Sequence, residues 1–364
     1  MKEPKKLFIA ATMQNDGKTT VSLGLMFALR KYFRRISFIK PIGQRYLIEQ
    51  GYKVDEDSVL IDHICGIKRN IRDMSPIAIE RGFTEKYIES GRRDELITKI
   101  RRAFDKVSMN TDLVIIEGTG HAGVGSVFDL SNAVVARILD AKVILISSGG
   151  IGKPIDEIML NKNLFESENV DFMGAIVNKV LPHKYKKVSK YVRKGLIRKG
   201  IQPLGVMPYR RMLDVPTIRE IQEETKWELL MGEKFVDNKV GKILVGAMEV
   251  HESLMYMEDD SLMITPGDRE DIMLAAIAFG LSSEKGSNLA GLIITGGMMP
   301  HKSVLRLLKK SNIPVLLSEN DTYMAASKVH DLNVKIKPQD KDKIMAVIKT
   351  VEKYIDVEKI ARQL

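Results

Sequence analysis

Short apolar runs alternate with amphipathic stretches throughout this chain, and that rhythm predicts an α/β protein built on parallel sheets. Six runs fall at residues 7–11, 36–39, 113–116, 143–146, 175–177 and 204–206, and the pattern restarts after Trp227 at 243–247, 262–264, 292–294 and 315–317. A Gly-Lys-Thr turn stands between the first run and the first amphipathic stretch. Parallel sheets bind ligands beyond the carboxyl ends of their strands, so the segments following these runs are the candidate sites.

The first such end reads Ala11-Thr12-Met13-Gln14-Asn15-Asp16-Gly17-Lys18-Thr19-Thr20. Val21, Leu23, Leu25, Met26, Leu29 and Phe33 then fall mainly on one side of a helix. A tight turn there gathers backbone N–H groups and the positive end of the helix dipole into one space, and Lys18 adds a full charge. The space suits a phosphate chain, with Thr19 placed where a P-loop needs a hydroxyl for Mg²⁺. Asn15, Asp16, Gly17, Lys18, Thr19 and Thr20 are thus candidate nucleotide contacts. The first glycine of the P-loop pattern is missing, because Thr12 occupies its place.

The second run leads into Lys40-Pro41-Ile42-Gly43-Gln44. The third, Leu113-Val114-Ile115-Ile116, ends in Glu117-Gly118-Thr119-Gly120. A carboxylate directly after four apolar residues stands where a Walker B acid would hold Mg²⁺; the alternative is a polar strand end with a flexible loop. Between these segments, Asp55-Glu56-Asp57 either supplies another metal ligand or begins a helix at Ser58.

Composition narrows the classes. A chain of 364 residues, 44% hydrophobic, holds cores for two domains. The net charge of +10 is spread out, except for a dense stretch at 184–199. Val188, Val192 and Leu196 recur there at helical spacing, which reads as a solvated helix face, and aromatic residues are few. No nucleic-acid partner is expected. One cysteine, Cys65, excludes an internal disulfide and any multi-cysteine zinc site. With no secretion signal and no long apolar run, the expected location is cytoplasmic, without a membrane partner.

Taken together, residues 11–19, Lys40-Pro41, Asp57, Glu117-Gly118 and Asn178-Lys179 resemble the dethiobiotin-synthetase-like P-loop fold. Within it, residues 5–225 are similar to the N-terminal region of long phosphate acetyltransferases and their stand-alone relatives, including the segments 38–44 and 213–218. The final third, with Gly267-Asp268-Arg269 and Thr295-Gly296-Gly297 after two of its strands, resembles the DRTGG domain. The resemblance implies ATP and Mg²⁺ as cofactors. Lys18 matches the phosphate-binding lysine, and Thr19, Asp57 and Glu117 match the Mg²⁺ ligands. Lys40 matches a lysine that steadies the substrate carboxyl and the transferred phosphate, so Lys18 and Lys40 are the candidate catalytic residues. Asn178 matches the residue that reads adenine, and a homodimer is implied. Four features depart from the synthetase pattern: Ala11 and Thr12 in the phosphate loop, Met13 where an acid is common, and the loop 119–126. With these departures, Mg-ATP binding carries over from the resemblance better than diaminononanoate binding does.

The expected organisation is a P-loop domain at 1–225, a charged linker at 226–240, and a DRTGG-like domain with a C-terminal helix at 241–364. Cobyrinic acid diamide synthases share the fold but append a cysteine glutaminase, and the final third has no cysteine. The 25 residues from Asp340 onward allow one terminal helix, too little for an acetyltransferase domain. Three functions stay open: a Mg-ATP-binding protein whose second domain is regulatory or sensory, an ATP-dependent ligase activating a carboxylate or carbamate, and a partner-binding scaffold with a vestigial nucleotide site. The corresponding partners are a nucleotide, a small-molecule carboxylate, or another protein.

Overall fold

A computed structural model describes residues 3–282, 289–332 and 334–364. It divides the chain into two compact units, Met1–Arg210 with Ile336–Leu364, and Arg211–Lys335.

The strands of the first unit are β1 (Lys5–Ala11), β2 (Ile36–Ile39), β3 (Ile42–Gly43), β4 (Tyr46–Glu49), β5 (Tyr52–Asp55), β6 (Ile77–Ala78), β7 (Leu113–Glu117), β8 (Lys142–Ser148), β9 (Phe172–Val180) and β10 (Pro203–Pro208). Six of them form one parallel sheet in the order β10-β9-β8-β1-β7-β2. Residues 7–11 of β1 and all of β7 are buried, as strands covered on both faces must be. The chain runs from β1 out to β2, returns to β7 beside β1, and then crosses to β8 on the other flank. The strand order therefore reverses around β1, and the carboxyl ends of β1, β7 and β8 open the crevice where doubly wound folds bind ligands.

Its helices are α1 (Lys18–Ala28), α2 (Glu56–Cys65), α3 (Ile71–Met74), α4 (Phe83–Ser90), α5 (Arg93–Ser108), α6 (Asn132–Ile138), α7 (Gly152–Ser167) and α8 (Tyr185–Arg198). Val188, Val192 and Leu196 are the buried stripe of α8. The acidic cluster does cap a helix, but two residues earlier than expected: Asp55 accepts from Asp57 N at 3.0 Å, and α2 begins at Glu56.

The second unit holds α9 (Ile218–Thr225), β11 (Glu228–Met231), β12 (Lys242–Val245), α10 (Val250–Tyr256), β13 (Ser261–Pro266), α11 (Glu270–Ser282), β14 (Gly291–Thr295), α12 (Lys302–Leu308), β15 (Val315–Leu317) and α13 (Thr322–His330). Its sheet runs β11-β15-β14-β13-β12, with β11 antiparallel to β15 and the rest parallel.

The compact units divide the chain elsewhere than the expected domains. Residues 211–225 belong to the second unit, because Thr217 closes a capping box on α9 and thereby aims Ile218 and Ile221 into a core with Trp227, Val240 and Leu262. Residues 226–240 are no bare linker either. They contain β11, and Trp227, Val236 and Val240 are buried. The largest correction concerns the end of the chain, where two helices, α14 (Lys341–Tyr354) and α15 (Val357–Gln363), rejoin the first unit. A Cβ on Gly24 of α1 would lie 2.6 Å from Val351 Cβ on α14, so only glycine lets the two helices approach this closely. Lys142 Nζ donates to Gln363 O at 2.6 Å, and Asp356 N donates to Leu204 O at 2.8 Å. The length of the segment after Asp340 predicted one terminal helix; the structure has two, and length alone could not show which sheet they would cover.

Candidate functional site

Site geometry begins with the backbone of the turn after β1. Gly17 takes φ +98°, a left-handed conformation that disfavours any side chain, and forms the N-terminal boundary of α1 without a side-chain cap. A Cβ at Gly17 would also collide with the Asn178 amide. The first amides of α1 are therefore left for a ligand, and Lys18, Thr19 and Thr20 form the first turn. Asn15 is exposed, with φ +64°.

Asp16 is buried and ties the turn to the neighbouring strands. Its carboxylate accepts from Met13 N at 2.8 Å, Thr12 Oγ1 at 2.8 Å and Ser148 Oγ at 2.7 Å. Its carbonyl accepts from Asn178 Nδ2 at 2.9 Å. Asp16 thus braces the loop from within, and Asn178, near the end of β9, braces the backbone of the same loop.

The cationic and acidic residues lie close together, but Asp57, expected as a Mg²⁺ ligand, pairs with Lys40. Lys18 Nζ donates to Gly120 O at 3.1 Å across the crevice, and burial lowers its pKa. Thr19 Oγ1 donates to Glu117 Oε1 at 3.0 Å. Glu117, the last residue of β7, is buried, and its Oε2 makes no hydrogen bond among the described residues. Burial, with Asp57 second, pushes its carboxyl up to about 7 against the pull of Lys40.

Lys40 follows β2 and is only 6% exposed. Its ammonium pairs with Asp57, lies 2.9 Å from Asp55 Oδ1 and sits 3.7 Å from Glu117 Oε1. Burial opposes that charge, yet the three carboxylates outweigh it and hold the lysine above its ordinary range. Among the described residues no group of three or more His, Cys, Asp or Glu is arranged to hold a metal by itself. The centre of the acidic cluster belongs to Lys40. Thr19 and Glu117 are the groups beside the turn that could hold a metal ion.

Asp55, from the acidic cluster read in the sequence, is the second anchor of Lys40. Asn132 and Glu157 were not singled out in the sequence. Asn132, at the start of α6, accepts from Thr119 N at 3.1 Å and donates to Thr119 O and His121 O at 2.7 Å each, so it shapes the loop after Glu117. A Cβ on Gly118 would lie 2.7 Å from Phe8 and 2.8 Å from Asn132 Oδ1, which explains the glycine after the acid. Glu157, on α7, reaches Thr12 Oγ1 at 3.0 Å. The Ser131-Asn132 pair at a helix start was a readable signal, since Ser131 caps α6. Nothing local marks Glu157. Cys65 is half-buried, and burial pushes its thiol up to about 12, as suits a packing residue.

In the second unit, Gly267 lies against Met298, where the Met298 carbonyl would collide with any Cβ. Arg269 is held by Met248 O at 2.8 Å and by both Asp271 oxygens at 2.9 Å, and Thr295 Oγ1 shares a 2.7 Å hydrogen bond with Thr322 Oγ1. The signature residues of this unit interlock its strand-end loops.

A parallel sheet with a phosphate-type turn at its switch point, followed by a second α/β unit, defines a P-loop NTPase-like protein with an appended domain. The chain belongs to the AAA domain family, whose profile matches residues 5–225, and residues 220–332 match the DRTGG domain. Among curated proteins it is 26% identical over 367 residues to a phosphate acetyltransferase of Nitratidesulfovibrio vulgaris, covering 98% of this chain and 51% of that protein. To the phosphate acetyltransferase of Pseudomonas putida it is 27% identical over 372 residues, covering 96% and 50%. The chain thus spans about half the length of these relatives, in keeping with the expected likeness to an N-terminal region. A solved structure of the septum site-determining protein MinD with Mg-ADP, from Pyrococcus horikoshii, is similar at 15% identity and TM-score 0.36, covering 58% of this chain and 83% of that one. At that score the fold assignment rests on the sheet order described above. Among the described residues no helix is long and apolar enough to cross a membrane.

Proposed function

We propose that the first unit binds Mg-ATP at the turn 12–20 and that the second unit modulates this binding. The observation that carries the reading is the pairing of Thr19 Oγ1 with Glu117 at 3.0 Å beside a left-handed Gly17 and Lys18. In this reading the amides of the turn and Lys18 hold the phosphates, and Thr19 and Glu117 hold the metal. Asp57 acts through Lys40. A bound Mg²⁺ would neutralise phosphate charge. Asn178 stands where a nucleobase contact is expected, although one of its amide protons already serves Asp16 O.

An ATP-dependent ligase is the second reading, and Lys40 favours it. An ammonium fixed by Asp55 and Asp57 beside Glu117 can stabilise charge developing on a transferred phosphate without reorganising. Acetyl transfer is not carried over from relatives of which the chain spans half. A homodimer and a cytoplasmic location complete the proposal, and sedimentation and cell fractionation test them. Calorimetric titration with Mg-ATP tests the site itself: binding by the wild type and at least a tenfold loss in Lys18→Ala, about 1.4 kcal/mol, are expected. Equal affinity in the two proteins defeats the assignment.

A further inference from the structure

We propose that Glu157 is a positioning residue of the phosphate loop, acting through Thr12, and that its negative charge tempers the loop's affinity for phosphate; this inference rests on the Mg-ATP reading above. Thr12 replaces a glycine of the usual pattern, yet it is only 1% exposed, so its side chain must be used inside the protein. Its hydroxyl lies at the centre of a closed polar node: 2.8 Å from Asp16 Oδ2, 3.0 Å from Ser147 Oγ and 3.0 Å from Glu157 Oε2. Ser147 Oγ is itself 3.1 Å from Glu157 Oε2, and Ser148 Oγ donates to Asp16 Oδ1 at 2.7 Å.

Both carboxylates face the hydroxyl protons of this node. Thr12, Ser147 and Ser148 bring one hydroxyl proton each, and the acceptors facing them are Asp16 Oδ1, Asp16 Oδ2 and Glu157 Oε2. One arrangement gives every hydroxyl proton a carboxylate acceptor: Ser148 on Oδ1, Thr12 on Oδ2 beside Met13 N, and Ser147 on Glu157 Oε2. Glu157 therefore orients Ser147, and the Ser147 hydroxyl in turn lies against Thr12. Without Glu157 the Ser147 proton is free to turn to Thr12 or elsewhere, and the Thr12–Asp16 bond that shapes the loop loses its fixed direction.

The same arrangement places two carboxylates immediately behind a phosphate-binding turn. Their charge opposes that of a phosphate chain; on Glu157 it is offset in part by Lys153, whose exposed ammonium lies 3.6 Å from Oε1 and is screened more than the half-buried carboxylate. Geometry and charge thus act in opposite directions, and two substitutions separate them. Glu157→Gln keeps an acceptor for Ser147 and removes the charge, whereas Glu157→Ala removes both.

Calorimetric titration of the full chain with Mg-ATP and Mg-ADP, for the wild type, Glu157→Gln, Glu157→Ala, Thr12→Val and Lys18→Ala, tests this. Expected are an affinity gain of about two- to fivefold in Glu157→Gln, larger for ATP than for ADP, and a loss in Glu157→Ala and Thr12→Val. Thermal midpoints taken without nucleotide identify a variant that merely fails to fold, and the near-isosteric glutamine variant remains readable if the alanine one does. A merely structural Glu157 would move both of its variants in the same direction. Loss in Glu157→Gln, or no change in either Glu157 variant while Lys18→Ala is weakened, overturns the inference alone. Unchanged binding in Lys18→Ala overturns the Mg-ATP reading and this inference with it.

Discussion

Glu117 is the residue on which the proposed metal site and the pH dependence of stability both turn. Burial and Asp57 hold its carboxyl neutral up to about 7 in the folded protein, against an ordinary 4.5. Such a group leaves stability fully present below about 4.5, where both folded and unfolded chains are protonated. Stability then falls as pH rises towards 7, because only the unfolded chain releases its proton in that window. Urea unfolding of the ligand-free protein at a series of pH values is expected to show this decline, and Glu117→Gln to flatten it; an equal slope in both proteins contradicts the assigned environment. The same side chain supports a metal prediction. Glu117→Ala is expected to remove most Mg²⁺-dependent hydrolysis or transfer while changing metal-free nucleotide affinity far less, and a single-turnover assay over a Mg²⁺ series reads both. Asp57→Ala acts differently, since it takes one of three carboxylates from the buried Lys40. It is expected to cost fold stability as well, about 3–5 kcal/mol by the usual penalty for breaking a buried pair.

At the scale of elements, α1 carries the phosphate turn at one end and packs on α14 through Gly24. Gly24→Ala gains about 1 kcal/mol in helix propensity. It must also push apart a pair of helices whose Cβ atoms would stand 2.6 Å from each other, an overpacking cost of about 1–3 kcal/mol that no rotamer relieves. The clash wins, so a lower thermal midpoint is expected; a rise would mean that α14 yields easily. The turn itself was legible because Gly17-Lys18-Thr19 is local chemistry between a strand and a helix. The hairpin of β4 and β5 was not, since Leu47 and Ile48 are exposed and give no alternating signal.

For the whole molecule, the return of residues 336–364 to the first unit changes what truncation should do. A chain ended at Glu224 would keep the turn 12–20 but lose α14 and α15, uncovering Gly24 and the β10 flank that Ile355 and Asp356 meet. It is expected to be much less stable than the full chain, whereas residues 211–335 carry a complete sheet and two apolar clusters and should fold alone. Circular dichroism melts of both pieces check this. If the second unit modulates nucleotide binding, the effect should be a modest factor, about 1–3 kcal/mol, measured by comparing the full chain with the first unit whose two segments are joined directly.

The sequence by itself determined the parallel α/β class, the ten strands of the two main parallel arrays, the Gly17-Lys18-Thr19 turn after the first strand, and the position of Glu117 at the end of a neighbouring strand. Those features follow from hydrophobic period and from chemistry within a few residues. Tertiary structure alone decided that Lys40 sits inside a ring of Asp55, Asp57 and Glu117, that Glu157 reaches Thr12 across 145 positions, and that the last two helices belong to the first unit. Each of those is a contact between distant segments, and a sequence pattern fixes which face of an element is apolar without fixing what that face will meet.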